Sequence, residues 1–289
     1  MNVKACLVQR ICNFSLEENI SRSEKAISEA KQKGADMIVF SELFLNKYFC
    51  ISENVNNFDL ALEDGSNVIK HFQELALSNN LIIIFPYFEK RTQGIYHNSV
   101  IIFDKDGNIA GKYRKMHIPD DPGYFEKFYF TPGDLGFEPI LCSIGKIGIL
   151  ICWDQWFPEA ARIMALKGAQ IIIYPTAIGF DPNEKRSEQK RQLDAWLTIQ
   201  RSHAIANSLY VLSVNRVGIE TNHGQKIKFW GNSFVCGPQG EFIEKAKDNE
   251  ETLYVNIDIN KNEEVRRIWP FFRDRRYSDY KEIGKCFID

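Results

Sequence analysis

Three residues of this chain combine a type and a position that could do chemistry. Cys152 closes the apolar run Gly148-Ile149-Leu150-Ile151 and precedes Trp153-Asp154-Gln155-Trp156-Phe157-Pro158-Glu159. A strand that stops at a sharp turn before a helix presents its last side chain at the C-terminal edge of the sheet, where open α/β folds bind ligands. A thiol there is either a small buried hydrophobe or a nucleophile. Glu42 follows directly on Val39-Phe40-Ser41. A carboxylate at the end of a buried strand is desolvated unless it finds a partner, and desolvation raises its proton affinity toward that of a general base. The plainer reading is a salt-bridged strand end. Lys115 closes the run Lys112-Tyr113-Arg114-Lys115. Basic strand ends are commonly just solvated, but a lysine among apolar neighbours stabilises a thiolate or an oxyanion. A cysteine nucleophile needs a base and a cation. No histidine stands in the usual relation to Cys152, whereas Glu42 and Lys115 would supply both functions without imidazole.

The elements that must position these groups alternate strand and helix over the first half. Lys4–Gln9 reads as a strand, and Ser15-Leu16-Glu17-Glu18 is a capping box opening a helix to about Lys33, stopped by Gly34. Met37–Phe40 is a short buried strand, a second helix spans about Ser66 to Asn79, and Leu81–Phe85 is another buried strand ended by Pro86. His97–Phe103 and Ile109–Tyr113 form a hairpin about Asp104–Asn108. Residues 116–139 have little periodicity, and a loop of that length in a compact fold is usually functional. Ile144–Ile151 is a strand, followed by a helix over about Pro158–Lys167 and the strand Ile171–Tyr174, ended by Pro175. A long helix covers about Ser187 to Asn207, with Leu193, Trp196, Leu197 and Ala204 on a core-facing stripe. Leu209–Val214, Asn232–Cys236, Glu241–Lys245 and Thr252–Ile257 complete the strands. Ile82-Ile83-Ile84-Phe85-Pro86 and Ile171-Ile172-Ile173-Tyr174-Pro175 echo one another, which suggests two similar halves. No linker or compositional break divides the 289 residues, so a single domain 1–289 is expected, with 259–289 as a C-terminal extension at an oligomer interface.

Composition excludes several classes of function. The chain is 44% hydrophobic and 26% charged, the balance of a globular protein with a large core rather than a disordered one. Its net charge of −2 gives no general attraction for nucleic acid or anionic lipid. No apolar run approaches the roughly 18 residues of a membrane helix. The opening Met1–Gln9 reads as a strand rather than an export signal. The seven cysteines are odd in number and contain no C-x-x-C, so they are expected to be reduced thiols in a cytoplasmic protein. The five histidines show no paired-ligand spacing, and no metal site is expected.

The stretches Phe40-Ser41-Glu42-Leu43-Phe44, Gly111-Lys112-Tyr113-Arg114-Lys115-Met116-His117-Ile118-Pro119 and Ile151-Cys152-Trp153-Asp154-Gln155-Trp156-Phe157-Pro158-Glu159-Ala160-Ala161-Arg162 resemble the three signatures of the nitrilase superfamily of carbon–nitrogen hydrolases. The resemblance runs from the first strand to about Ile257. It implies an α/β fold, specifically an α-β-β-α four-layer sandwich, assembled into homo-oligomers and working without a cofactor or metal. It also implies catalytic roles for Glu42, Lys115 and Cys152, and for a second glutamate, Glu126, in Gly123-Tyr124-Phe125-Glu126. The run Met116–Phe130, Tyr174-Pro175-Thr176-Ala177-Ile178-Gly179 and Gly231-Asn232-Ser233-Phe234 resemble the N-carbamoylputrescine amidohydrolase branch in particular. In that branch an acidic residue after the Thr-Ala-Ile-Gly run receives the distal ammonium of a small ureido substrate. Asp181 holds that place here, where plant relatives tend to carry Glu, and Asn183–Arg191 departs from the pattern.

The resemblance implies a thioester mechanism. Glu42 takes the Cys152 proton, Lys115 and the Trp153 backbone N–H hold the oxyanion, and Glu126 orients Lys115 or the substrate amide. Tyr124, Trp153 and Trp156 are expected to wall an aliphatic chain, with Asp181 at its cationic end. A β-ureidopropionase-like enzyme or another aliphatic amidase is the alternative. It would need a cation for a substrate carboxylate, with Arg186 or Arg191 as candidates. A non-enzymatic binding module would fit a chain that had lost one of the three catalytic types, and all three are present.

Overall fold

The computed structural model describes residues 1–222 and 224–288; His223, one of the five histidines counted above, lies outside the described residues. The first half runs β1 (Asn2–Gln9), α1 (Leu16–Gln32), β2 (Met37–Phe40), α2 (Asn67–Asn79), β3 (Ile82–Thr92), β4 (Ile95–Phe103) and β5 (Ile109–Arg114). A one-turn helix, α3 (Glu126–Tyr129), interrupts the connection that follows. The second half runs β6 (Ile140–Cys142), β7 (Gly145–Ile149), α4 (Pro158–Leu166), β8 (Ile171–Pro175), β9 (Gly179–Phe180), α5 (Arg186–Asn207), β10 (Tyr210–Val214), β11 (Val217–Asn222), β12 (Gln225–Trp230), β13 (Phe234–Cys236) and β14 (Phe242–Lys245). β15 (Glu251–Asp258) and α6 (Asn260–Ile268) close the chain's regular structure.

Two six-stranded sheets result, ordered β15-β1-β2-β3-β4-β5 and β14-β13-β10-β8-β7-β6. Their central strands read as continuous apolar runs because both faces of each sheet are covered. Alternation decides which side chain goes where. Leu7, Met37, Val39, Ile82, Ile84, Val100 and Ile102 face the second sheet and meet Ile147, Ile149, Ile171 and Ile173. The residues between them, Val8, Ile38, Phe40, Ile83, Phe85 and Ile101, turn the other way and pack with Ile27 and Ala30 of α1 and Phe72 and Ala76 of α2. Met164 of α4 and Trp196 and Ala204 of α5 pack with the second sheet. The architecture is the expected α-β-β-α sandwich.

Each half carries the same sequence of elements, three parallel strands linked by two helices and then two antiparallel strands: β1-α1-β2-α2-β3-β4-β5, and β7-α4-β8-α5-β10-β13-β14. The echoed pentapeptides do not mark this repeat. Ile82–Pro86 lies on the third parallel strand of its half and Ile171–Pro175 on the second strand of its own. Pro86 does not end its strand. β3 continues to Thr92, because β2 pairs with it only as far as Ile84 and pairing on that side resumes only at the Leu62–Glu89 bridge, so Pro86 falls in a gap where a missing N–H is tolerated. Pro175 is the last residue of β8.

A third sheet, β11-β12-β9, has no counterpart in the sequence reading. Its Ile227 and Phe229 join Tyr48, Phe49, Phe88, Tyr129 and Phe130 in a separate aromatic core beside the sandwich. That core absorbs Tyr124, Phe128, Tyr129 and Phe130 and converts much of an aperiodic segment into a fixed one. Among the described residues, no helix is long and apolar enough to cross a membrane.

Candidate active site

Glu42, Lys115 and Cys152 each lie just past the end of a strand, β2, β5 and β7 respectively, and Glu126 opens α3. All four side chains are buried. Lys115 Nζ donates to Glu42 Oε1 at 2.8 Å and to Glu126 Oε2 at 2.6 Å. Asn98 Nδ2 donates to the same Glu42 oxygen at 2.7 Å, and the Tyr48 hydroxyl donates to Glu126 Oε1 at 2.7 Å. Asn98 serves twice, since its carbonyl accepts the Lys115 backbone N–H at 2.8 Å and so extends the β4–β5 ladder to the lysine itself. Glu42 Oε2 has no partner among the described residues. The other charges of the basic run are committed elsewhere: Arg114 donates to the buried Glu89 at 2.6 and 2.8 Å, and Lys112 donates to it at 2.8 Å. Burial would raise the Glu89 carboxyl, but these donors overcome it and hold it at about 2.

Burial sets the proton inventory of the trio. Desolvation alone would lower the Lys115 ammonium, but Glu126 and Glu42 outweigh it and hold the lysine charged well above its ordinary range. Burial raises the Glu126 carboxyl to about 7 against the pull of Lys115, with Glu42 adding to the rise. Burial also lifts the Cys152 thiol well above its ordinary range; Glu42 adds to the rise and Lys115 opposes it. Lys115 alone therefore does not ionise the sulfur, and at neutral pH the cysteine rests as a thiol.

Cys152 does not end a strand, as the sequence suggested. β7 stops at Ile149, and Cys152 opens a 3₁₀ turn, Cys152–Trp156, with φ +42°. This is the left-handed region, unfavourable for a residue with a Cβ and held only where the surroundings over-determine it. Asp154 supplies that determination. Its Oδ2 accepts the Ile151 N–H at 2.9 Å and the Tyr113 hydroxyl at 2.8 Å, and its Oδ1 accepts the His117 N–H at 3.0 Å and lies 2.7 Å from His117 Nδ1. Tyr113 and His117 flank Lys115 by two residues on either side. One buried carboxylate thus joins the cysteine turn to the lysine segment. Cys152 Sγ lies 3.8 Å from the Ala177 carbonyl.

A cavity of about 610 Å³ opens onto Cys152. Tyr124, Trp153 and Trp156 line it, as does Trp230 from β12. Tyr124 is fixed by the Gly179 N–H, which donates to its hydroxyl at 2.8 Å. Asp181 lines the cavity together with two carboxylates the sequence reading did not single out, Asp121 and Glu184, and no lysine or arginine lines it among the described residues. Arg186 and Arg191 are exposed on α5, and Arg191 pairs with Glu188.

Sequence reasoning missed Asn98, Tyr48, Asp154 and Glu184. A signal existed for Asn98: His97-Asn98-Ser99 puts three consecutive polar residues, all buried, in an otherwise apolar strand. Asp154 stood in the quoted cysteine motif, but a capping carboxylate and a surface one look alike in one sequence.

The carbon–nitrogen hydrolase family model matches residues 4–267. The chain is 42% identical to N-carbamoylputrescine amidase of Oryza sativa subsp. japonica over 97% of this chain and 94% of that one. It is 41% identical to citrullinase of Francisella tularensis subsp. tularensis over 99% of each chain. The crystal structure of a carbon–nitrogen hydrolase from Helicobacter pylori G27 superposes with a TM-score of 0.95, at 51% identity, over 100% of both chains.

Asp154→Ala leaves the Ile151 N–H, the Tyr113 hydroxyl and the His117 N–H without their acceptor. At about 1–3 kcal/mol for each buried orphan, the unfolding free energy should fall by about 3 kcal/mol or more. Denaturant unfolding measures this, and a loss below about 1 kcal/mol would contradict the joining role.

Proposed function

The chain belongs to the carbon–nitrogen hydrolase family, and from that premise we propose that it hydrolyses N-carbamoylputrescine to putrescine, carbon dioxide and ammonia. The observation that carries the substrate class is the cavity on Cys152, lined by Asp121, Asp181 and Glu184 without a basic residue. Such a lining favours a cationic tail and opposes a carboxylate. It supports a ureido amine over N-carbamoyl-β-alanine, and over citrulline, whose α-carboxylate would meet these acids. The names of the rice and Francisella relatives agree with ureido chemistry.

Glu42 takes the Cys152 proton on Oε2, the oxygen without another partner, as the sulfur attacks the carbamoyl carbon. Proton transfer accompanies attack because burial keeps the thiol neutral beforehand. Lys115 and the Trp153 backbone N–H hold the developing oxyanion. Glu42 then protonates the departing ammonia, leaving an N-alkylcarbamoyl thioester. Water activated by Glu42 cleaves it, restores the thiol and releases the carbamic acid, which breaks down to amine and carbon dioxide. Glu126 fixes Lys115 through its Oε2. Tyr124, Trp153 and Trp156 wall the aliphatic chain.

The cellular setting and assembly belong to the same reading. Seven free cysteines, six of them buried, suit a reducing cytoplasm. The C-terminal extension leaves Ile268, Trp269, Tyr277, Ile283 and Phe287 exposed, which supports a homo-oligomer. Sedimentation equilibrium should give a mass at least twice 33.5 kDa, and a monomer would overturn this assignment.

Ammonia release tests the reaction. Wild type should prefer N-carbamoylputrescine to N-carbamoyl-β-alanine and citrulline, and Cys152→Ala should lose turnover; a tenth of wild-type activity in that variant would rule out the thioester route. The Glu126 carboxyl, raised to about 7, gives a pH test. Its ionised form is the active one, so kcat/KM should climb with pH through an inflection near 7 that Glu126→Gln lacks. The sign for stability is opposite. A carboxyl raised from 4.5 to about 7 favours the fold while protonated, and that contribution fades as pH rises across this interval. An unchanged profile in Glu126→Gln would remove Glu126 from the scheme.

A further inference from the structure

The turn between β9 and α5 treats its two carboxylates differently. The Glu184 N–H donates to the Asp181 carbonyl at 3.0 Å, and the Asn183 N–H donates to Asp181 Oδ1 at 2.9 Å. Asp181 is exposed, and one of its carboxylate oxygens is committed to its own backbone in an Asx turn. Gln189 Nε2 donates to the Glu184 carbonyl at 3.1 Å and fastens the turn to the start of α5.

Glu184 is held and left open at once. Gln192 Nε2 donates to its Oε1 at 3.1 Å, while its Oε2 is buried with no hydrogen-bond partner among the described residues. No described cation pairs with Glu184, since Lys185, Arg186 and Lys190 are exposed and Arg191 pairs with Glu188. A carboxylate oxygen withdrawn from water without a donor is unfavourable, and Glu184 lines the same cavity as Cys152. The geometry points to Glu184 as the receptor of the substrate's distal ammonium, with Asp181 as the positioning residue whose turn presents it. This rests on the ureido-amine reading above. It also accounts for an aspartate at position 181: a residue that only shapes the turn needs the short Asx side chain, and the reach is supplied by the longer one three residues on.

Binding separates this from the reaction itself. Calorimetric dissociation constants for N-carbamoylputrescine and for neutral n-butylurea are measured on Cys152→Ala protein, alone and combined with Glu184→Gln, Glu184→Asp or Asp181→Asn. Glu184→Gln should weaken the cationic ligand by on the order of 10-fold or more, the loss of one charged hydrogen bond, and leave n-butylurea unchanged. Glu184→Asp should recover part of the loss because it keeps the charge. Asp181→Asn, whose amide oxygen still accepts the Asn183 N–H, should lose less than Glu184→Gln. An unchanged affinity for the cation in Glu184→Gln, an equal weakening of n-butylurea, or a loss in Asp181→Asn as large as that in Glu184→Gln would overturn the assignment. If wild type releases no ammonia from N-carbamoylputrescine while the charge-dependent binding persists, the reaction reading fails and the receptor assignment stands.

Discussion

Two carboxylates and one ammonium, wholly out of water, are the constraint around which this molecule is arranged. Charges in a dry interior are tolerated only when their mutual geometry is good and their remaining hydrogen-bonding capacity is met, and removing one partner strands the others. Asn98 and Tyr48 meet that capacity for Glu42 and Glu126, and the lysine lies 2.8 and 2.6 Å from the two carboxylates. The one oxygen left out, Glu42 Oε2, is the one the proposed mechanism assigns to proton transfer. The same dryness keeps Cys152 protonated and Glu126 poised near neutrality. On the proposed mechanism, reactivity comes from a shared proton inventory in a closed space rather than from a pre-formed thiolate.

Holding such a set demands rigid supports from distant parts of the chain. Glu42 and Cys152 follow parallel strands of different sheets, and Lys115 follows an antiparallel strand of the first sheet. Packing of the inner faces fixes the sheets to each other, and Asp154 makes the connection local by bonding both the cysteine turn and the lysine segment. Glu126 arrives by another route. It sits on a single helical turn in a long connection, and the aromatic core around Phe49, Phe88, Tyr129 and Phe130 does for that segment what a sheet does for the others.

Much of this was legible in the sequence because apolar runs end where the chemistry begins. The runs before Ser41 and before Cys152, and the basic end of β5, located three groups without any knowledge of their neighbours. Glu126 needed the family resemblance, since nothing periodic surrounds it. Pro86 misled because a proline excludes a paired N–H, not a strand, and β3 has a gap in its pairing on one side between Ile84 and the Leu62–Glu89 bridge. The hairpin β11–β12 was overlooked although Gln225–Trp230 alternates exposed Lys226 and Lys228 with buried Ile227 and Phe229. The proposed ammonium receptor was out of reach for another reason. Asp181 and Glu184 share type, charge and cavity, and only hydrogen bonds distinguish the one whose carboxylate builds a turn from the one left with an unpartnered oxygen.

The two ends of the cavity impose complementary demands on a substrate. At the closed end Lys115 is already paired with Glu42 and Glu126, so no free cation is left to hold an anionic ground state beside Cys152, and the fitting electrophile is neutral and gains its charge only in the transition state. A ureido carbonyl satisfies this and is matched there by Lys115. At the open end the lining carboxylates have no described cation to answer them, so a substrate that brings its own positive charge completes the site. A cationic tail anchored there stays in place when ammonia leaves, because the first bond broken is at the other end of the molecule. On the proposed mechanism, the contact that selects the substrate for the first half of the reaction also holds the thioester against Glu42 for the second.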